Sequence, residues 1–324
     1  MRIALLTNQD LDADPFPADD WPCDPRPFLP DAQWEVLTLQ KGEAPTRLPP
    51  LAERFDVFFN LCDGAADQHD VPGIEVVETL EAMGVAFTGA TSSFYEPTRQ
   101  AMKRAARRAG VRVPRGFVAK TTHDVDKAAR TLTFPLFVKH HNSYASVDIT
   151  RASRVVSPAG LRRQATKFME RFGFCSIEEY VDGPEVTVLV AENPDDPARP
   201  ITYQPLQYTF PPGEAFKHAK LKWVDYGGLS VHPVTEPRLD ARLRRAAARV
   251  FVELGGTSFG RCDLRLDAAG RPVFLEINPN CGVFYPPTDP GSADLCLLHD
   301  PAGHAGFARL LVACAQKRAA LAPA

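Results

Sequence analysis

The chain has no apolar run approaching the ~20 residues of a membrane span, no Cys-x-x-Cys pair and almost no excess of charge. The first absence argues against a transmembrane helix. The seven cysteines are scattered and odd in number, which argues against a disulfide framework or a zinc site and suits a reducing cytoplasm. A formal net charge of −3 gives no support for binding to nucleic acid or to an acidic membrane. Met1 to Asn8 is too short an apolar run for a signal peptide and reads as a first buried strand. Cys62 and Cys281 are expected to pack as small buried residues. What is present is length: 324 residues allow two or three domains and a sizeable core.

Gly260-Arg-Cys-Asp-Leu-Arg-Leu-Asp-Ala-Ala-Gly-Arg-Pro-Val-Phe-Leu-Glu-Ile-Asn-Pro-Asn280 reads as a β-hairpin, two alternating runs joined by a Gly-bearing turn. Strand side chains alternate faces. Cys262, Leu264 and Leu266 should share one face, and Arg261, Asp263 and Arg265 the other. On the return strand, Val273, Leu275 and Ile277 are expected to oppose Phe274, Glu276 and Asn278. If Asp263 lies opposite Glu276, Arg261 lies opposite Asn278, with Ala268 to Arg271 as the connection; a one-residue slip would bury the charges. Two carboxylates and an amide oxygen would then converge with an arginine. Carboxylates this close repel unless a cation neutralises them. An all-oxygen set suits Mg²⁺, completed by waters and phosphates, with Mn²⁺ possible in its place. The competing reading is a solvated hairpin face.

Elsewhere, Arg2 to Thr7, Trp34 to Leu39, Phe55 to Cys62 and Val85 to Gly89 read as strands. Val71 to Met83 has helical spacing, with Gly84 closing it. This alternation argues for a doubly wound parallel unit. Asn60, Asp63 and Gly64 fall at a strand end, as a ligand site or as a simple turn. The Pro- and Asp-rich stretch Asp10 to Asp31 is expected to be an ordered loop, because Phe16, Trp21 and Phe28 give it something to bury. Pro97 to Ala109 is a basic helix closed by Gly110. Lys103 and its other basic residues are expected on a solvated face. Leu132 to Lys139 is a strand closed by a lysine, which puts one cation at the rim of a buried site. His140 and His141 are adjacent, so a shared metal role is not expected. Cys175 to Val190 reads as two strands around Asp182-Gly-Pro. Phe210 to Val234 is a Pro/Gly-rich loop, Arg238 to Leu254 an amphipathic helix, and helical spacing returns at Leu295 to Leu298 and Phe307 to Ala319.

These motifs, as an ordered set, resemble the ATP-grasp ligases, and most of all the D-alanine–D-alanine ligase group, from about Phe55 onward. The resemblance implies an α/β (α+β) ATP-grasp fold. It divides the chain into an N-terminal doubly wound parallel domain at 1–95, a central ATP-grasp subdomain at 96–181 and a C-terminal subdomain with the metal site at 182–324. It places Asp263, Glu276 and Asn278 on the metal, and Arg99, Lys139 and Lys220 on the phosphates, with Lys222 as a rival to Lys220. Glu178 would accept from the adenine amino group, Val181 would offer backbone bonds to the base, and Glu185 would receive the ribose hydroxyls. Ser146 belongs to a small-residue loop over the phosphates. Arg261 and the Gly282 N–H would face the reacting acyl group. Within that pattern, Arg99 stands where the group has a lysine, and Tyr144 and Asp148 where it often has glycines.

The implied activity is ATP-dependent joining of a small-molecule carboxylate to an amine through an acyl phosphate. A possible homodimer is the group's habit. The Ser-Leu pair that holds the second D-alanine aligns with Pro287-Thr288, and the Gly-Gly-x-Ser-x-Glu signature for the first is missing. Both departures turn the expectation away from D-alanine. Three alternatives stand: a ligase attaching an amino acid to a small natural-product acceptor, a non-catalytic ATP-binding module, and a kinase-like enzyme that stops at the acyl phosphate.

Overall fold

The computed structural model describes residues 1–11, 22–65, 68–142, 148–218, 221 and 228–321. The first unit runs β1 (Arg2–Thr7), β2 (Gln33–Thr38), α1 (Ala44–Arg47), β3 (Val57–Asn60), α2 (Ile74–Met83) and α3 (Ser92–Tyr95). Its sheet is parallel in the order β2-β1-β3. The expected strand at Val85 to Gly89 is reduced to one bridge, Phe58 to Phe87. It lies along β3 through Phe58 N to Ala86 O (2.8 Å) and Thr88 N to Phe58 O (3.0 Å). Gly89, at φ 97°, then turns the chain away. Helix α2 starts three residues later than the spacing suggested, because Pro72-Gly73 precedes it, and ends on Gly84 at φ 66°.

The second unit comprises α4 (Arg99–Arg108), β4 (Gly116–Ala119), α5 (Thr122–Thr131), β5 (Leu136–Lys139), β6 (Arg154–Val155), α6 (Pro158–Phe172) and β7 (Cys175–Glu179). Its strands pair antiparallel in the order β4-β7-β5-β6. The third comprises β8 (Glu185–Ala191), β9 (Ile201–Thr202), β10 (Leu206–Thr209), β11 (Ser230–Pro233), α7 (Pro237–Glu253), β12 (Phe259–Leu266), β13 (Pro272–Pro279), α8 (Ser292–Leu297) and α9 (Gly303–Leu321). Its sheet runs β11-β10-β8-β12-β13, with β9 also on β8.

Core composition ties the first and third units together. Ala4, Leu6 and Phe58 share a core with Val186, Leu264, Phe274 and the buried side of α7. Ile3, Leu5 and Phe59 share the other with Leu189, Phe259 and Phe307. Strands β4, β5 and β7 instead pack with α5 and α6 around a separate core that includes Val125, Val138, Phe168 and Ile177. Side chains of the third unit also cap the backbone of the first. Gly89 N donates to Ser258 Oγ (3.0 Å), Ala90 N to Asn280 Oδ1 (2.7 Å) and Thr91 N to Thr257 Oγ1 (2.9 Å).

The hairpin register is the expected one around Asp263: Asp263 opposes Glu276 and Arg261 opposes Asn278. Beyond that point the expectation needs correction. A bulge follows Asp263, so Leu264 pairs with Phe274 and Leu275 is the extra residue. The bulge flips the faces. Phe274, expected beside Glu276, is fully buried with Ile277, while Leu275 is only half-buried.

The chain after β13 is held by a buried acid. Asp294 is 1% exposed. Its carboxylate accepts from Phe284 N (2.7 Å) and Gly291 N (2.9 Å) and meets His304 Nε2 at 2.9 Å. Replacing Asp294 by Ala strands those donors, at about 1–3 kcal/mol for each buried group left unpaired. The expected result in urea denaturation is a loss of at least about 2 kcal/mol; an unchanged midpoint would contradict this account of the loop.

Candidate active site

The acids that the sequence singled out are each held by a basic side chain of the same protein. On β12 and β13, Arg261 Nη2 lies 3.1 Å from Asp263 Oδ2, and Arg99 forms an ion pair with Glu276. On β7, Glu178 pairs with Lys139 at 3.2 Å and also with Lys103. On β8, Glu185 meets Arg265 Nη2 at 3.0 Å. Unpaired carboxylates at these depths would be costly, and the pairing is what permits them.

Local structure explains how the partners arrive. Thr98 caps α4 by accepting from Ala101 N (3.2 Å), which fixes Arg99 as the first helical residue. Arg99 is 8% exposed, and its backbone N donates to Asn142 Oδ1 at 3.0 Å. One turn later, Lys103 reaches Glu178, which corrects the expectation that it lies on a solvated face. The helix spans two units in doing so, because Met102 and Ala106 are packed into the core shared with β13. Lys139 closes β5 beside Ser176 on β7, and Ser176 Oγ donates to Glu178 Oε1 at 2.8 Å.

Electrostatics follow from this packing. Burial lowers Lys139 to a pKa of about 8, against the opposing pull of Glu178. Burial would raise Glu178, but the Lys103 and Lys139 ammoniums outweigh it and hold the carboxyl well below its usual range. Asp263 behaves likewise: burial raises it, while Arg261, then Lys217 and the Thr187 hydroxyl bond, bring it below the ordinary value. Thr187 Oγ1 donates to Asp263 Oδ1 at 2.9 Å, and Asn278 Nδ2 lies 3.4 Å from Asp263 Oδ2. Asp263, Asn278, Arg261 and Glu276 thus sit together. Burial pushes Cys281 up to about 12 and Cys62 also upward, in keeping with the packing role expected of both.

Arg265 was placed by alternation on the face of Arg261 and Asp263 but was given no role. It is 3% exposed. Besides Glu185, it donates to Tyr180 Oη (2.6 Å), Val181 O (2.8 Å) and Ala215 O, and it lies 4.9 Å from the Tyr180 ring centroid. It therefore ties Val181 and Glu185, both predicted nucleotide contacts, to one guanidinium. The period-2 pattern was signal enough to find it. A cavity of about 450 Å³ lies next to this segment, lined by Arg151, Arg154, Asp182 and residues 213–216. None of the predicted nucleotide contacts lines it.

The remaining predicted residues fall as follows. Gly282 is covered by Tyr285, which a side chain there would strike. Ser146, Lys220 and Lys222 lie outside the described residues, as do Tyr144, Phe16 and Trp21. Phe28 packs on His304 and Phe284, at centroid distances of 4.9 and 5.7 Å. Asp148 turns to Arg171 (2.6 Å). The His140 and His141 rings touch at 4.5 Å, and among the described residues no three His, Cys, Asp or Glu gather as a metal cluster. No helix among them is long and apolar enough to cross a membrane.

Among the described residues, replacing Arg265 by Met leaves Glu185, 8% exposed, with Lys217 at 3.8 Å as its one cationic partner. Breaking a buried pair costs about 3–5 kcal/mol, so a loss of that order is expected in chemical denaturation. Arg265→Lys should recover only part, since one ammonium lacks the planar fork. Full stability of the Met variant would rule out this role.

Three comparisons bear on the family. Residues 112–285, more than half the chain, match the family described as the D-ala D-ala ligase C-terminus. The D-alanine–D-alanine ligase of Xanthomonas axonopodis pv. citri is 26% identical over 242 residues, 72% of this chain and 71% of that protein. Among solved structures, the D-alanine–D-alanine ligase of Bacillus anthracis complexed with ATP superposes with a TM-score of 0.67 at 14% identity, covering 97% of each chain. The VanG D-Ala:D-Ser ligase of Enterococcus faecalis gives 0.63 at 18%, over 81% of this chain and 73% of the other. The fold is thus the α/β ATP-grasp fold that the hairpin suggested, and the chain belongs to the D-ala D-ala ligase C-terminus family of ATP-dependent, ADP-forming ligases.

Proposed function

We propose that this protein joins a carboxylate to an amine, passing through an acyl phosphate and releasing ADP and phosphate. The observation that carries this reading is the hairpin register: Asp263 faces Glu276 and Arg261 faces Asn278, with Arg99 bound to the same pair of strands. ATP lies between the central (96–181) and C-terminal (182–324) segments of the three-part chain, with 1–95 completing the substrate side. Its adenine donates to Glu178 and bonds the Val181 backbone. Its ribose hydroxyls donate to Glu185. Lys139, Arg99 and Lys220 meet the phosphates, with Ser146 in the loop over them.

Asp263, Glu276 and Asn278 fit a Mg²⁺ ion: they offer hard oxygen donors on one face, and each carboxylate is paired with an arginine side chain of the protein, Arg261 on Asp263 and Arg99 on Glu276. Such an ion would supply charge neutralisation for the β- and γ-phosphates. In the first step a substrate carboxylate oxygen attacks the γ-phosphorus, the bond to ADP breaks, and an acyl phosphate forms. In the second an amine nitrogen attacks the acyl carbon, loses a proton, and phosphate leaves. Arg261 and the Gly282 N–H stabilise the oxyanion between these events, at about 3 kcal/mol per donor. Relatives carry D-alanine in their names, but Pro287-Thr288 and the missing amine signature favour another carboxylate or acceptor, amino acid or small natural product.

The test is ADP release with Mg-ATP across single and paired amino acids, with product masses read in parallel. A pair-dependent release and a product lighter than the pair by one water are expected. Binding of ATP with no release for any acceptor would leave only an ATP-binding module. Asp263→Asn should reduce turnover to background, and turnover at the wild-type rate would remove the metal assignment.

The acidity of Lys139 predicts a pH dependence. With its pKa at about 8, it is charged below that pH and loses its charge as the pH rises. KM for ATP should therefore increase several-fold across this range, with kcat at saturating ATP changing less. Lys139→Met should raise KM at neutral pH and flatten the profile; a profile identical to wild type would separate Lys139 from the phosphates.

A further inference from the structure

A dense cluster of arginines gathers around the tip of the hairpin, although the chain as a whole is slightly acidic, with 37 Lys and Arg against 40 Asp and Glu. Helix α7 presents Arg242, Arg245 and Arg249 on its exposed face, three and four residues apart and therefore on one stripe about 10 Å long. Its opposite side buries Leu243, Ala247, Val250 and Phe251. Two other elements bring arginines to the same place. Arg112 follows the end of α4, and Arg271 stands at the tip of the hairpin. These five line a cleft of about 190 Å³ floored by Val111, Ala246 and Pro272. The Arg112 carbonyl accepts from Phe274 N at 2.8 Å, so the two walls are fixed to each other.

Charge in the cleft is poorly balanced. Among the described residues only Arg271 of the five has a carboxylate partner, Asp267 at 2.8 Å. The nearby acids are engaged elsewhere: Glu253 with Arg108, and Asp240 with Arg244. Like charges at this helical spacing repel.

We propose that this cleft binds a compact condensed phosphate, a short chain of phosphoryl groups such as tripolyphosphate. Every lining cation is an arginine, and the guanidinium fork matches phosphate oxygens two at a time. The cleft is open but small, about 190 Å³, which favours a dense anion over an acidic peptide or a nucleic-acid strand, whose charges are spread along a track. The site is separate from the ligase centre and does not depend on that reading.

The test is calorimetric titration of the full chain with sodium tripolyphosphate in metal-free buffer. Wild type should bind it at least tenfold more tightly than orthophosphate or sulfate. The triple variant Arg242→Ala/Arg245→Ala/Arg249→Ala, and independently the pair Arg112→Ala/Arg245→Ala, should weaken that binding at least tenfold with unchanged circular dichroism. Lys139→Ala should retain it. The proposal is overturned if the arginine variants bind as wild type does, if only Lys139→Ala loses binding, or if orthophosphate binds equally well. It is equally overturned if an oligoglutamate peptide or a single-stranded DNA oligonucleotide binds more tightly through these arginines.

Discussion

A carboxylate buried among strands has to be paired, and the arrangement of this protein's centre follows from that constraint. Glu178, Glu185, Asp263 and Glu276 stand on four strands, β7, β8, β12 and β13. Each is met by an arginine or lysine, on Asp263 from the same strand and on the others from different elements. Removing water from a charge costs several kcal/mol, which only good geometry and added hydrogen bonds offset. Those bonds are present: Ser176 on Glu178, Thr187 on Asp263, and the Tyr180 hydroxyl and Val181 carbonyl on Arg265, the partner of Glu185. The polar centre is therefore a set of ion pairs, not a row of exposed acids.

The scaffold determines which pairs can move relative to one another. Asp263, Glu276 and Glu185 sit on a sheet whose core is continuous with the N-terminal strands. Lys139 and Glu178 sit on a smaller sheet with its own core. Helix α4 connects the two. It packs against the larger body through Met102 and Ala106 and binds Glu276 there through Arg99, while its Lys103 reaches across to Glu178. The smaller core is thus separate from the larger one but joined to it by ion pairs and by ring contacts such as Phe137 on Phe216.

The parts of this arrangement legible in the sequence were those governed by a strict period. Alternation along residues 260–280 identified the hairpin and, with the need to keep charges out of the core, fixed Asp263 against Glu276. The same rule failed a few residues on, at Leu275, because a bulge is a one-residue insertion that leaves no compositional mark in an apolar strand. Lys103 was misjudged for a different reason. A helix periodicity says which residues share a face but not what lies opposite, and here the opposite surface holds a buried acid. Arg265 was assigned the right face and overlooked, since its role depends on Tyr180 and Glu185, some 80 residues away in the chain. Aromatic residues offered for burial in the Asp10–Asp31 loop were a sound guide for Phe28, whose ring meets two others.

Under the proposed reading, the internal pairs also set the energetics of substrate entry. Each cation now on an acid is one that a phosphate could take over, and each acid so released is one that a metal or a nucleotide hydroxyl could occupy. Such an exchange trades one charge-assisted contact for another. Its net cost is therefore small, whereas breaking the pairs with no replacement would leave the buried Glu178 and the largely buried Asp263 without partners. The site is thereby biased to open only as its ligands arrive with the complementary charges. That bias also favours exclusion of water, which an acyl phosphate requires to survive until an amine reaches it.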